Sequence, residues 1–417
     1  MVVAKSHKKE QVFSTLVVFM LLIYSVLQTY GYGHYNFAFI IMTVLSIFAL
    51  FRTGFHSYMP KWLNCYFIFW GLSHIIMASS ASAMIPVGVI RTYLLFNMVF
   101  KEFDYSKCLK YYNILAVVFL AFFFFQEFVY ATTGFRVLGV SQSLPLALGV
   151  EDADAYYQKM IINERSSSFF SEPAHFVQFL LPLLAIKLFQ PAKRLDYLFS
   201  IIIVAALLLM QSGNAFLGLA AIGISFVIEK IIHNFNAKKL ILLLVVLFSV
   251  GTGVKLYFES EMGQHLLERQ DQLDMKGDSQ TGLSGFMRIF RGYYVYDAMT
   301  PLEKVIGADD AGRIDSAIAS SGFAWSFKEN DYYFNVVQTL LIRTGIIGTL
   351  LFLLFMVGSF RRVNSCGKSI LTILLFLCFI SAIHFTPVMA LYILLARSCS
   401  NDIMDEKSIK TTNYIIK

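Results

Sequence analysis

The densest polar stretch of this chain is Arg165-Ser-Ser-Ser-Phe-Phe-Ser171-Glu172-Pro173-Ala-His175-Phe176. Ser171 is a good N-cap and Pro173 suits a first helical turn, so a helix is expected to begin here. Its free N–H groups and positive dipole end, with Arg165 just before it, would suit an anion such as phosphate. Glu172 and His175 are three apart and share a helix face, where either is placed to accept a proton from an attacking hydroxyl. The plain alternative is that Arg165 snorkels to water, Ser171 and Pro173 only cap, and His175 is a hydrogen-bonded buried residue. A Glu-x-x-His metal site needs a second such motif, which the sequence lacks, so no metal is expected.

Three further groups of residues carry possible chemistry. In Leu283-Ser-Gly-Phe286-Met-Arg288-Ile289-Phe290-Arg291-Gly-Tyr293-Tyr294, the apolar residues recur at helical spacing and Arg288 and Arg291 are three apart. This reads as an interfacial amphipathic helix, either a simple anchor or a holder of a lipid diphosphate between two guanidiniums. Asn335 and Gln338, before Arg343-Thr-Gly345-Ile-Ile-Gly348, are suited to sugar hydroxyls, while the glycines suit close helix packing. Arg91 is expected near the middle of an apolar run, where it either serves a site or pairs with Glu127 or a backbone carbonyl. Asp152-Ala-Asp154 has a metal-nucleotide spacing, but is read as a solvated acidic turn.

The elements that position these residues follow from composition. The 417 residues are 57% hydrophobic and 15% charged, and mean hydropathy is +0.64, whereas soluble domains are about 25% charged. The fold class expected is an all-α polytopic integral membrane protein. A secreted domain, a disordered scaffold and a soluble enzyme with one anchor are excluded. Lys5, Lys8 and Lys9 precede an apolar run as long as a span, with no small-x-small cleavage site after it, so a retained first span is expected. The five cysteines form no CxxC or Cys/His ligand spacing.

Apolar runs bounded by charges predict about 12 transmembrane helices near 11–30, 36–51, 62–79, 82–100, 111–131, 169–189, 195–211, 214–232, 239–257, 340–360, 368–383 and 385–398. The last two could form one broken helix. With the N-terminus inside, every predicted inner segment is basic: Arg52 and Lys61; Lys101, Lys107 and Lys110; Lys187, Lys193 and Arg194; Lys230, Lys238 and Lys239; Arg361, Arg362 and Lys368; and the tail with Arg397. The net charge of +7 is thus a topology signal and not a nucleic-acid one. The organisation expected is 1–131 with helices 1 to 5, a first long outer loop 132–168, helices 6 to 9 in 169–257, a large, partly helical outer loop 258–335 with the arginine segment, helices 10 to 12 in 336–398, and a cytoplasmic tail 399–417. No internal repeat marks a secondary transporter.

The stretch from Arg165 to Phe176 resembles the O-antigen and capsular polysaccharide polymerases (Wzy type), which share a superfamily with the O-antigen ligases. Ser212-Gly213-Asn214-Ala215, Arg288-Ile-Phe-Arg291 with Lys304-Val-Ile-Gly307, and Tyr333-Phe334-Asn335 through Gly348 fit the family in the same order. The likeness covers roughly 160–350. Ligase-type members commonly have histidine directly before the last asparagine; Phe334 stands there, which argues against that branch. The resemblance implies a glycosyltransferase of the bacterial inner (cytoplasmic) membrane, acting at its outer face. It would join undecaprenyl-diphosphate-linked oligosaccharide repeats, with lipid diphosphate leaving and no cofactor, and with a chain-length regulator and a flippase as pathway partners. Arg165, Glu172, His175 and Arg288 are the candidate catalytic residues; Arg291, Asn335, Gln338 and Arg91 the candidate substrate-binding ones. An O-antigen ligase and a lipid-linked oligosaccharide flippase or transporter are the alternatives.

Overall fold

Long apolar runs punctuated by Gly, Pro and Asn give helices, and the chain is mostly helical. The computed structural model describes residues 2–32, 35–78, 85–147, 165–229, 283–327 and 333–399, without the side chains of 2–10, 53, 283–288 and 326. In chain order the helices are α1 (Val2–Leu27), α2 (Phe37–Thr53), α3 (Lys61–Met77), α4 (Val87–Glu102), α5 (Tyr105–Thr133), α6 (Pro173–Phe189), α7 (Leu195–Leu209) and α8 (Gly213–Val227). They continue with α9 (Leu283–Ala298), α10 (Pro301–Ile306), α11 (Ala311–Ser320), α12 (Val336–Phe360), α13 (Ser365–Cys378) and α14 (Pro387–Ser398). The sheet among the described residues is a short hairpin of β1 (Gly31–Tyr32) and β2 (Tyr35–Asn36).

Each predicted apolar run except 239–257, which lies outside the described residues, coincides with a helix. α5 and α12 are long and apolar enough to cross a membrane, and the other apolar helices are shorter. The last two runs form separate helices, since Pro387 starts α14 and Thr386 caps it through the Met389 N–H. The described part of the large loop folds as α9, α10 and α11, with a capping box of Thr300 and Glu303 starting α10.

α6 and α14 form the centre. α6 is buried from Phe176 to Ile186 and α14 from Pro387 to Ala396. Pro182 lies inside α6, and a proline there cannot donate to the carbonyl four residues back. That carbonyl belongs to Gln178, and the Tyr392 hydroxyl donates to it at 2.8 Å from α14. The Tyr112 hydroxyl of α5 likewise donates to the Phe179 carbonyl. Two buried tyrosines thus satisfy backbone groups that no water reaches.

Close crossing elsewhere depends on glycine. Gly345 interrupts α12 with φ +61°, and a side chain there would meet the backbone at Val305; Gly307, at φ +86°, lies just as close to Arg343. The Ala308 N–H donates to the Ile342 carbonyl at 2.8 Å across this contact. The glycines therefore let the loop helix α10 lie against α12 backbone to backbone.

Replacing Tyr392 with Phe should strand the Gln178 carbonyl and destabilise the protein by about 1–3 kcal/mol. In a Pro182→Ala background the restored N–H takes that carbonyl, and the cost of Tyr392→Phe should shrink. Unfolding midpoints of the four purified proteins give the cycle; purely additive losses would show that the two groups do not interact.

Candidate functional site at the helix termini

The connections at one end of the bundle converge on the start of α6. The segment before it is pinned by Gln126 of α5, whose side chain accepts the Ser168 N–H at 2.8 Å and donates to the Val137 carbonyl at 2.7 Å. Ser168 donates its hydroxyl to the Phe119 carbonyl at 2.8 Å and has φ 55°. Arg136 donates to Ser166 Oγ at 2.7 Å and to Glu127 Oε1 at 3.3 Å, with its guanidinium over the Tyr130 ring. Glu127 is therefore the partner of Arg136 and not of Arg91.

Arg165 is half-buried and donates to the Gln211 carbonyl at 3.2 Å. It thereby ties the entry of α6 to the turn before α8. Gln211 also has a positive φ, 46°. Non-glycine residues with positive φ are uncommon and need surrounding structure to hold them. The N-cap of α6 is Glu172, one residue later than the sequence suggests, and it makes no side-chain cap. The Ser171 hydroxyl instead hydrogen-bonds His175 Nδ1 at 3.2 Å, which removes it from the capping role. Glu172 is exposed.

The other segments join through the turn between α13 and α14. Gln178 Nε2 donates to Ser381 Oγ at 3.2 Å, and Ser381 Oγ donates to Asn214 Oδ1 at 3.3 Å. The start of α12 docks on the same turn. The Tyr333 hydroxyl donates to the Ile380 carbonyl, Asn335 Nδ2 to the Phe379 carbonyl and the Val336 N–H to the Ser381 carbonyl.

Four of the expected site residues are placed otherwise than the sequence suggests. Asn335 and Gln338 are fully buried and form a reciprocal capping box for α12. Gln338 Nε2 also donates to the Ile289 carbonyl at 2.8 Å, so both amides make hydrogen bonds within the fold. Arg291 points inward and is 8% exposed. Its Nε and Nη2 donate to the Tyr333 carbonyl at 3.1 and 2.6 Å, beneath the Phe327 ring. Phe290 and Tyr294 take the exposed side of α9. Arg91 lies in the second turn of α4, because that helix starts at Val87 and not at 82; its guanidinium covers the Phe39 ring at 4.2 Å. It is near a helix end, not mid-span. The side chain of Arg288 and the Asp152-Asp154 pair lie outside the described residues.

A second polar cluster escapes the sequence reading. Asp309, in the turn after α10, accepts from Trp70 Nε1 at 2.8 Å, pairs with Arg343 Nη1 at 3.0 Å and lies 3.5 Å from His74 Nδ1. Burial works to raise the Asp309 carboxyl, but Arg343 and the hydrogen bonds from His74 and Trp70 outweigh it and hold it below the usual carboxylate range. Beside it the Tyr66 hydroxyl meets His384 Nε2 at 3.2 Å. Burial and then Arg343 push the His384 imidazole down to about 3, so it is neutral at physiological pH. The available signals were Trp70 and His74 four apart on α3, and Arg343 alone in an apolar run.

Compared with known proteins, the chain matches no family model and no curated protein.

The Asp309 carboxylate contributes stability that is complete above about pH 4, the unfolded value of the group, and is lost as pH falls through its lower folded value. Asp309→Asn should therefore lower the unfolding midpoint at neutral pH and change it little in strong acid. An equal loss at both pH values would show that charge is not what matters there.

Proposed function

We propose that the chain is a multi-pass protein of the bacterial inner membrane, with about twelve spans and both termini cytoplasmic, and that it polymerises lipid-linked oligosaccharide repeats. The observation that carries this reading is convergence. The four stretches that resemble the Wzy-type polymerases lie far apart in sequence, yet Arg165 reaches Gln211, Asn214 reaches Gln178 through Ser381, and Arg291 reaches Tyr333. Exposed Ile68, Val117, Phe128, Ile201 and Leu350 on the helix faces favour lipid contact.

In this reaction an acceptor hydroxyl oxygen attacks the anomeric carbon of the donor glycan as the bond from that carbon to the diphosphate oxygen breaks. The lipid diphosphate leaves with the bonding electrons, and the hydroxyl proton passes to a base. Glu172, exposed at the α6 N-terminus, and His175, oriented through Nδ1 by Ser171, are the two bases available. Arg165 and the positive dipole end of α6 would face the leaving diphosphate, with Arg288 as a further cation. Arg291, Asn335 and Gln338 act through the fold, by holding α9 and α12 to the same turn.

The test is the length of lipid-linked glycans in membranes of a strain lacking the chain. Single repeats should accumulate at the outer face, with long chains restored by wild type and not by Arg165→Ala. Long chains still attached to lipid would mean a ligase instead, and single repeats trapped inside a flippase. Glu172→Gln and His175→Ala separate the bases: the residue that acts should lose about 100-fold or more in rate while the protein still inserts. Full activity in both would place the base elsewhere.

A further inference from the structure

The opposite end of the bundle holds a cavity of about 510 Å³ between the start of α3 and the ends of α4, α12 and α14. Three cations line it: Lys61 at the start of α3, Arg362 in the turn after α12 and Arg397 near the end of α14. None of the three pairs with a carboxylate among the described residues. The nearby Glu102 is buried, and its ion-pair neighbour is Lys101 at 4.0 Å. Aromatic rings form much of the remaining wall, with Arg397 over Phe100 at 5.5 Å and Lys61 beside the Trp62 ring at 5.8 Å. The rim is tied in place, since Asn97 accepts the Tyr58 N–H at 2.7 Å and donates to the His56 carbonyl at 2.8 Å.

Lys61 and Arg362 are exposed and Arg397 is partly buried; like charges gathered at one cavity repel one another, and an anion entering the space relieves this. Two guanidiniums and an ammonium match the oxygens of a phosphate group, and the rings suit an apolar portion attached to it. Basic pockets between helices at a cytoplasmic membrane surface are where anionic lipid headgroups bind.

We propose that this cavity is a phosphate-binding site, filled by the headgroup of an anionic phospholipid or by a soluble phosphate. It is independent of the transfer chemistry, which lies at the other helix ends. A site of this kind would make the protein respond to the charge of the leaflet around its basic end.

The full chain is placed in phosphatidylcholine nanodiscs with and without phosphatidylglycerol, and retained lipid is counted by native mass spectrometry. In parallel, inorganic phosphate is titrated by calorimetry into the discs without phosphatidylglycerol. Wild type should retain a defined phosphatidylglycerol molecule, and Arg362→Gln and Arg397→Gln should each weaken its binding by at least about tenfold. Arg361→Gln, which removes an exposed charge outside the cavity, should leave it unchanged. Arg362→Lys, which keeps the charge, should retain most of it and report that the fold is intact. Saturable binding of inorganic phosphate with the same variant pattern would support the site with a soluble source. Retention insensitive to Arg362 and Arg397, equal loss in Arg361→Gln, or no binding of either probe would each overturn the proposal.

Discussion

Helix ends leave backbone groups without partners, and an apolar bundle has no water to satisfy them. The turn after α13 answers this directly. Three successive carbonyls, at Phe379, Ile380 and Ser381, accept from Asn335, Tyr333 and the Val336 N–H at the start of α12. The unpaired acceptors at the end of one helix thus meet the unpaired donors at the start of another. From that junction Ser381 reaches Gln178 of α6 and Asn214 of α8, while Gln338 and the Tyr333 carbonyl hold α9. The helices α9 and α12 are held through this one junction.

The same constraint explains why several polar residues that look free for substrate are not. A buried amide or guanidinium is costly unless hydrogen-bonded. Asn335, Gln338 and Arg291 are recruited for that purpose. Glu172, exposed beside the α6 N-terminus, escapes it, and His175 needs only Ser171. Under the proposed function, the residues for chemistry are ones the fold does not consume, and they lie where Ser168 and Gln211 hold unusual backbone conformations.

The two ends of the bundle differ in how they treat charge. At the site end, three arginines are matched by acids: Arg136 with Glu127, Arg313 with Glu303, Arg343 with Asp309. At the other end Lys61, Arg362 and Arg397 share one cavity with no acid among the described residues to neutralise them. Matched charges fix loops; unmatched ones await an anion.

How much of this was legible depended on whether a signal was local. The helices could be read from apolar runs and from Pro and Gly at their ends, because a helix satisfies its own backbone and its limits depend on nearby residues. The separation of α13 from α14 was also local, in Thr386 and Pro387, though a short gap made one broken helix equally readable. Arg165, Glu172 and His175 stood out for the same reason. The long-range partners did not: nothing near Asp309 in the chain signals Trp70, and nothing near Pro182 signals Tyr392. Which way Arg291 points, and that Asn335 meets the Phe379 carbonyl, depends on what packs opposite. Those choices belong to the tertiary structure, because satisfying a buried polar group requires a partner that only the folded chain brings within reach.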